Sequence, residues 1–146
     1  MRVMAIVFPI AVAAIGIAAG AMPKAVQTST VVPVNVTITC TGDGVQFSIS
    51  PYRVRLNVGD GVDWRLVNSP NVTEFSIDRK AGKAWPYTDS PPYRGGRGNP
   101  AKGRNMDPKA DGTYPYNVAA TCSPSDGSQR YIVIDPDMIV VRGGGT

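Results

Sequence analysis

From Val31 onward the chain alternates apolar and polar residues in short runs. Val32, Val34, Val36, Ile38 and Cys40 share one face of the first run, a period of two that marks a strand rather than a helix. After a Thr41-Gly42-Asp43-Gly44 turn, Val45, Phe47 and Ile49 keep one phase. Between Arg53 and Val58, Val54, Leu56 and Val58 point inward, alternating with Arg53, Arg55 and Asn57. Gly59-Asp60-Gly61 turns the chain, and Val62, Trp64 and Leu66 line the next inward face. An Asn68-Ser69-Pro70-Asn71 turn leads into a strand over Val72 to Ile77. The pattern resumes at Gly112 to Thr121, where Tyr114, Tyr116, Val118, Ala120 and Cys122 lie in phase. A Ser-Pro-Ser-Asp-Gly turn and a last strand over Arg130 to Val141 follow. About seven short strands, abundant Gly and Pro and no helical periodicity predict an all-β Greek-key β-sandwich.

Three stretches interrupt this pattern. Residues 1–21 read as a signal peptide: Arg2, a charge-free apolar run from Val3 to Ala19, then the small residues Ala19-Gly20-Ala21 before a cut. The run is rich in Ala and Gly and near the short limit for a spanning helix, so no retained membrane span is expected. No Cys follows it, which argues against a lipoprotein. The expectation is a bacterial protein exported to the periplasm or secreted, with 22–146 as a single domain. Two sequons, Asn35-Val36-Thr37 and Asn71-Val72-Thr73, matter only in a host that secretes through an endoplasmic reticulum. The second stretch, 78–111, dissolves into Pro, Gly and charge and reads as a long irregular basic loop inserted in the domain. The third, 142–146, reads as a flexible tail.

The chain has two cysteines, Cys40 and Cys122, each at the end of an inward-facing row. An even count in an exported chain predicts a disulfide, worth roughly 2–4 kcal/mol. Their wide separation, without a Cys-x-x-Cys spacing, favours a structural bridge over a redox pair.

Pro51, the alternating Arg53–Val58 run, Gly59-Asp60 and Val62-Asp63-Trp64 together resemble the cupredoxin pattern. Gly112-Thr113-Tyr114-Pro115-Tyr116 is similar to the Gly-x-Tyr-x-Tyr/Phe step entering the strand that carries the family's copper cysteine. The resemblance covers about 50–77 and 112–141. It implies a cupredoxin-like fold and, in the usual member, a copper site of two imidazoles, a thiolate and commonly a thioether. This chain contains no histidine. Cys122 lies four residues beyond Val118, where the family's spacing puts it out of register with the ligand. Asn71 to Phe75 offers no imidazole, and Met138 reads as core filling. No copper, no other cofactor and no metal ligand is therefore expected from the family pattern.

The absence of histidine also removes the usual general base of Ser-His-Asp and Cys-His nucleophiles, and no catalytic residue is assigned. Asp135 and Asp137, with Asp126, offer hard oxygens that suit Ca²⁺. That carboxylate-based site is the alternative from a different class.

The 78–111 segment carries the candidate chemistry. Between Arg79 and Lys109 lie eight cations against Asp89 and Asp107, in a chain of net charge +4 overall. Trp85, Tyr87 and Tyr93 are interleaved with them, followed by Arg94-Gly95-Gly96-Arg97. Cations mixed with aromatics engage phosphates, sulfates, sugars or acidic protein surfaces. Trp85, Tyr87, Tyr93, Arg94 and Arg97 are the expected partner-binding residues. The partner would be a protein or an anionic envelope component; nucleic acid is disfavoured by export. The competing expectation is purely structural, with the aromatics packed over the sandwich and the cations merely solvating it.

Overall fold

Residues 28–123 and 130–142 are described by a computed structural model of the chain. The proposed signal peptide, Asp126 and all of the tail but Arg142 lie outside the described residues.

The alternating run at the start becomes β1 (Val31–Thr41), in which Val34, Val36, Ile38 and Cys40 are buried. A tight turn returns the chain as β2 (Gly44–Ser50), antiparallel to β1. The chain then crosses to the second layer as β3 (Arg53–Asn57) and back as β4 (Gly61–Leu66), which lies parallel to β1. β5 (Val72–Arg79) and β6 (Tyr93–Gly96) pair in the second layer, and β7 (Ala101–Gly103) returns to pair with β4. β8 (Gly112–Cys122), β9 (Arg130–Ile134) and β10 (Asp137–Val141) complete the second layer. One sheet therefore has the order β2-β1-β4-β7 and the other β3-β10-β8-β5-β6, with β9 also on β8. The β3–β10 pair is parallel. This is the all-β, two-sheet sandwich that the alternation predicts.

The core lies between the sheets, and its largest fully buried side chains are Trp64, Tyr116 and Phe75. Each buries upward of ~150 Å² of largely apolar surface. The inward rows of β1, β3, β4 and β8 are those expected from the sequence. Cys40 and Cys122 form a disulfide across the sheets, joining positions 82 residues apart. In the chain-entropy account, closing so long a loop stabilises by about 4 kcal/mol.

The turns are fastened by side chains. Gly59 has a φ of +94°, a conformation that favours glycine. The next residue, Asp60, is buried and its carboxylate accepts the backbone N–H groups of Asn57 at 2.8 Å and Thr30 at 3.0 Å. Buried Ser69 accepts from Ile38 N at 2.8 Å and donates to Val67 O at 2.9 Å, tying the 67–71 turn to β1.

Three expectations need correction. The 78–111 segment is not irregular throughout: β6 and β7 lie inside it and supply one strand to each sheet. Phe47 is in phase with Ile49 yet 53% exposed on β2, an edge strand of its sheet. The run Arg130 to Val141 is two strands, broken at Asp135-Pro136, since proline has no N–H for the ladder. Its carbonyl instead accepts from Tyr116 N at 3.0 Å.

Candidate functional site

The 78–111 segment closes one flank of the sandwich, where β6 and β7 form facing edges. On β6 the register sets Tyr93 opposite Ile77, Arg94 opposite Ser76 and Gly95 opposite Phe75. Successive residues of a strand point to opposite faces. Tyr93 and Gly95 therefore turn inward while Arg94 turns to solvent. A Cβ on Gly95 would stand 2.5 Å from Ala101 N and 2.7 Å from the Phe75 ring. The glycine lets the two edge backbones approach, so the Gly-Gly step is a packing device here. Gly103 plays the same part against Tyr87 and Trp64.

The three aromatics picked out in the sequence form one cluster in this flank. Ring centroids are 5.9 Å apart for Trp85–Tyr87, 5.8 Å for Trp85–Tyr93 and 6.4 Å for Tyr87–Tyr93. Tyr93 continues inward to Trp64 at 6.2 Å, and Trp64 to Tyr116 at 5.7 Å. Trp85 Nε1 donates to Tyr93 Oη at 3.1 Å, and Tyr93 Oη donates to Asp89 O at 2.8 Å. Trp64 Nε1 donates to Tyr116 Oη at 3.1 Å. Tyr87 is only 4% exposed, and among the described residues its hydroxyl has no hydrogen-bond partner. Burial raises the pKa of all three phenols, Tyr87, Tyr93 and Tyr116, above the ordinary tyrosine value. Trp85 and Tyr93 are half-buried; Tyr87 lies beneath them.

The cations divide by role. Arg104 donates to Val62 O, Gly103 O and the buried carboxylate of Asp63, which Arg65 also contacts at 3.3 Å. Burial alone would raise the pKa of Asp63, but the hydrogen bonds and charges of Arg104 and Arg65 outweigh it and hold the carboxyl below its usual value. Lys80 pairs with Asp135 and Arg94 with Glu74, both at 2.8 Å on exposed surface. Such pairs contribute at most about 1 kcal/mol each. Arg97 is exposed and donates to Pro70 O at 2.8 Å.

Arg97 lines two grooves, and a third is lined by its neighbours Gly96 and Gly98. One of 480 Å³ lies against Leu66, Asn68 and Pro70. A second of 340 Å³ runs past Glu74 and Arg94, and a third of 350 Å³ lies between Arg65, Leu66, Asn99 and Pro100. A smaller groove of 270 Å³ lies beside Trp85, between Arg79 and Asp89. The five residues expected to bind a partner thus form two groups: an aromatic flank (Trp85, Tyr87, Tyr93) and a cationic rim (Arg94, Arg97). Sequence reasoning missed Arg65, Leu66, Asn68 and Asn99 beside that rim. The one sequence signal for them was the Asn-Ser-Pro-Asn turn, where Asn68 adopts a φ of +49°.

The carboxylates named for Ca²⁺ are engaged elsewhere: Asp135 with Lys80 and Asp137 with Arg53 at 3.3 Å. Among the described residues no three acidic or cysteine side chains converge as a metal site. At the stretch where the cupredoxin pattern carries an imidazole, Val72 and Phe75 are core residues and Asn71 donates to Cys40 O at 2.7 Å. Both thiols are consumed in the disulfide, and Met138 is fully buried.

No protein-family model matches the chain, and no curated protein matches it. Among solved structures it is similar to pseudoazurin from Methylobacterium extorquens AM1, with 18% identity over 76% of this chain and 78% of that one, at a TM-score of 0.40. The Arg53–Trp64 motif residues lie in β3 and β4 and the Gly-x-Tyr step opens β8 of this two-sheet sandwich. Among the described residues no helix is long and apolar enough to cross a membrane.

Proposed function

We propose that this chain is an exported, non-catalytic, copper-free cupredoxin-like binding module whose contact surface is the outer rim of the 78–111 segment. The observation that carries this reading is that Arg97 lines two grooves, one of them shared with Arg94 and Glu74, while Arg65 lines a third with Gly96 and Gly98, the residues on either side of Arg97. An excess of guanidinium groups around concave surface suits an anionic partner, because planar N–H forks take up carboxylate, sulfate or phosphate oxygens in pairs. An envelope polyanion or an acidic protein face has that chemistry. Trp85 and Tyr93 add half-exposed ring surface at the neighbouring flank, and Tyr87 supports them from below.

Export is supported by the apolar leader and by the disulfide, which persists in oxidising compartments. The lack of histidine supports a role without copper or acyl-transfer chemistry. A second reading, a purely structural envelope protein, is favoured by one observation: the aromatic cluster is packed on Trp64 rather than presented to solvent.

A cross-linked pull-down from the exported fraction tests the proposal, with Arg94→Ala/Arg97→Ala and Trp85→Ala beside the wild type. Capture of a partner that falls with the arginine pair and weakens with added salt supports the cationic rim. Equal loss with Trp85→Ala extends the contact to the aromatic flank. Identical capture by all three proteins overturns the binding reading and leaves the structural one.

A further inference from the structure

We infer that the outer edge of β9 pairs antiparallel with β9 of a second copy of this chain, about a two-fold axis at Ile132. This goes beyond the binding role above and uses a different surface. Among the described residues, β9 pairs with β8 on one side and with no strand on the other. An exposed row of backbone N–H and C=O groups is a template for another strand, and edge strands are commonly blunted by charge, shortness or glycine.

Of the other edges of this sandwich, β3, β6 and β7 are blunted in those ways, whereas β2 is uncharged but broken up by polar residues. β3 carries Arg53 and Arg55; β6 carries Arg94 and two glycines; β7 has three residues, one of them Lys102. β2 begins with glycine and alternates Gln46, Ser48 and Ser50 with its apolar residues. β9 differs: Tyr131-Ile132-Val133-Ile134 has no charge, proline or glycine and consists of strong strand formers. Tyr131 is 74% exposed and Val133 50%, on the outer face of the sheet.

The occupant follows from the chemistry of the strand itself. Antiparallel pairing about Ile132 sets Tyr131 against Val133 of the second copy, and Val133 against its Tyr131. Both are aromatic–β-branched pairs of the kind that stabilise neighbouring strands. The strand begins with Arg130 and is followed by Asp135. Antiparallel pairing brings the cationic end of one copy to the acidic end of the other, whereas parallel pairing would align arginine with arginine. Pro136 ends the strand and limits the pairing to about five residues, well below a standard interface. The dimer is therefore weak, and its fraction rises with concentration across the micromolar to millimolar range.

Sedimentation velocity on the purified chain over that range tests the inference. The wild type is expected to shift toward dimer as concentration rises. Tyr131→Lys/Val133→Lys, which sets lysine against lysine, is expected to stay monomeric. Tyr131→Lys/Val133→Glu, which sets lysine against glutamate in this register alone, is expected to restore association at low salt. Both positions are exposed, so a wild-type circular dichroism spectrum confirms that each variant folds. A wild type that stays monomeric throughout, association unchanged by the double lysine variant, or no rescue by the lysine–glutamate variant would each overturn it. Arg94→Ala/Arg97→Ala, away from this edge, dimerises as the wild type does if the two surfaces are independent.

Discussion

Two buried tyrosines offer the same chemical change with opposite expected signs. Replacing Tyr87 or Tyr116 by Phe removes one phenolic oxygen and keeps the ring. Tyr87 is 4% exposed and its hydroxyl has no partner among the described residues, so the folded state holds a desolvated, unpaired polar group. Removing it relieves that penalty and leaves the edge contacts with Trp85 at 5.9 Å and Tyr93 at 6.4 Å intact. Tyr87→Phe is therefore expected to stabilise by about 1 kcal/mol. The Tyr116 hydroxyl accepts from Trp64 Nε1 at 3.1 Å, and Trp64 is fully buried. Tyr116→Phe strands that indole N–H with no acceptor and is expected to destabilise by about 2 kcal/mol. The variants should thus differ by about 3 kcal/mol, or some 10 °C in Tm for a domain of this size. Urea unfolding followed by tryptophan fluorescence reads the difference as a shift in midpoint at constant slope. A Tyr87→Phe variant that loses as much stability as Tyr116→Phe would refute the reasoning, because it would mean that the Tyr87 hydroxyl is satisfied.

Other outcomes follow from packing and charge. Gly95→Ala places a Cβ 2.5 Å from Ala101 N, which is backbone and cannot swing aside, so a loss of about 1–3 kcal/mol is expected. Gly44→Ala meets nothing within 4 Å, and its urea midpoint should stay close to that of the wild type. Asp63 has a folded-state pKa below its unfolded value, so its contribution is complete above about pH 4 and is lost as the pH falls through the folded value. Asp63→Asn should therefore lower stability at neutral pH and flatten its decline in acid, measured as urea midpoints from about pH 7 to pH 2. An unchanged acid limb would remove Asp63 as its source. The buried phenols act at the other extreme. Burial holds the folded-state pKa of Tyr87 and Tyr116 above the unfolded value, so their contribution is full below about pH 10 and is lost as the pH rises beyond it. Absorbance should show them ionising only as the chain unfolds.

Much of the fold was legible because a strand's period of two is written directly in residue order. The rows Val34-Val36-Ile38-Cys40 and Tyr114-Tyr116-Val118-Ala120-Cys122 are buried as their alternation requires, and the cysteines at their ends meet. What alternation does not carry is which strands have a neighbour above them. Phe47 keeps the inward phase yet is exposed on β2, an edge strand. The break at Asp135-Pro136 could be suspected from its proline but not decided by it, since Pro33 and Pro115 lie within the unbroken strands β1 and β8. β6 and β7 were not readable. Apart from Tyr93, their inward positions are Gly95, Ala101 and Gly103, small residues required by close packing against a neighbouring backbone or ring, so no row of large apolar side chains announces them.

The same alternation explains why the candidate site could be found but not drawn. In the sequence, Tyr93, Arg94 and Arg97 stand together and read as one basic, aromatic patch. Once Tyr93–Gly96 pairs with β5, neighbours in sequence become opposites in space: Tyr93 turns in toward Trp64 at 6.2 Å, and Arg94 turns out to Glu74 at 2.8 Å. The aromatics then close the flank between the two sheets and the arginines stand outside it. Leu66, which joins Arg97 in one groove, and Arg65, which lines a groove with Leu66, Gly96 and Gly98, come from the end of β4, some thirty positions away along the chain. Proximity in sequence therefore pointed to the segment, while the proposed contact surface draws on that segment and the β4–β5 turn together. A substitution series confined to 78–111 would sample only half of the proposed contact. Arg65→Ala, made outside the segment but in a groove shared with Gly98, Asn99 and Pro100, is the variant that separates a surface built by the fold from one carried by the segment alone.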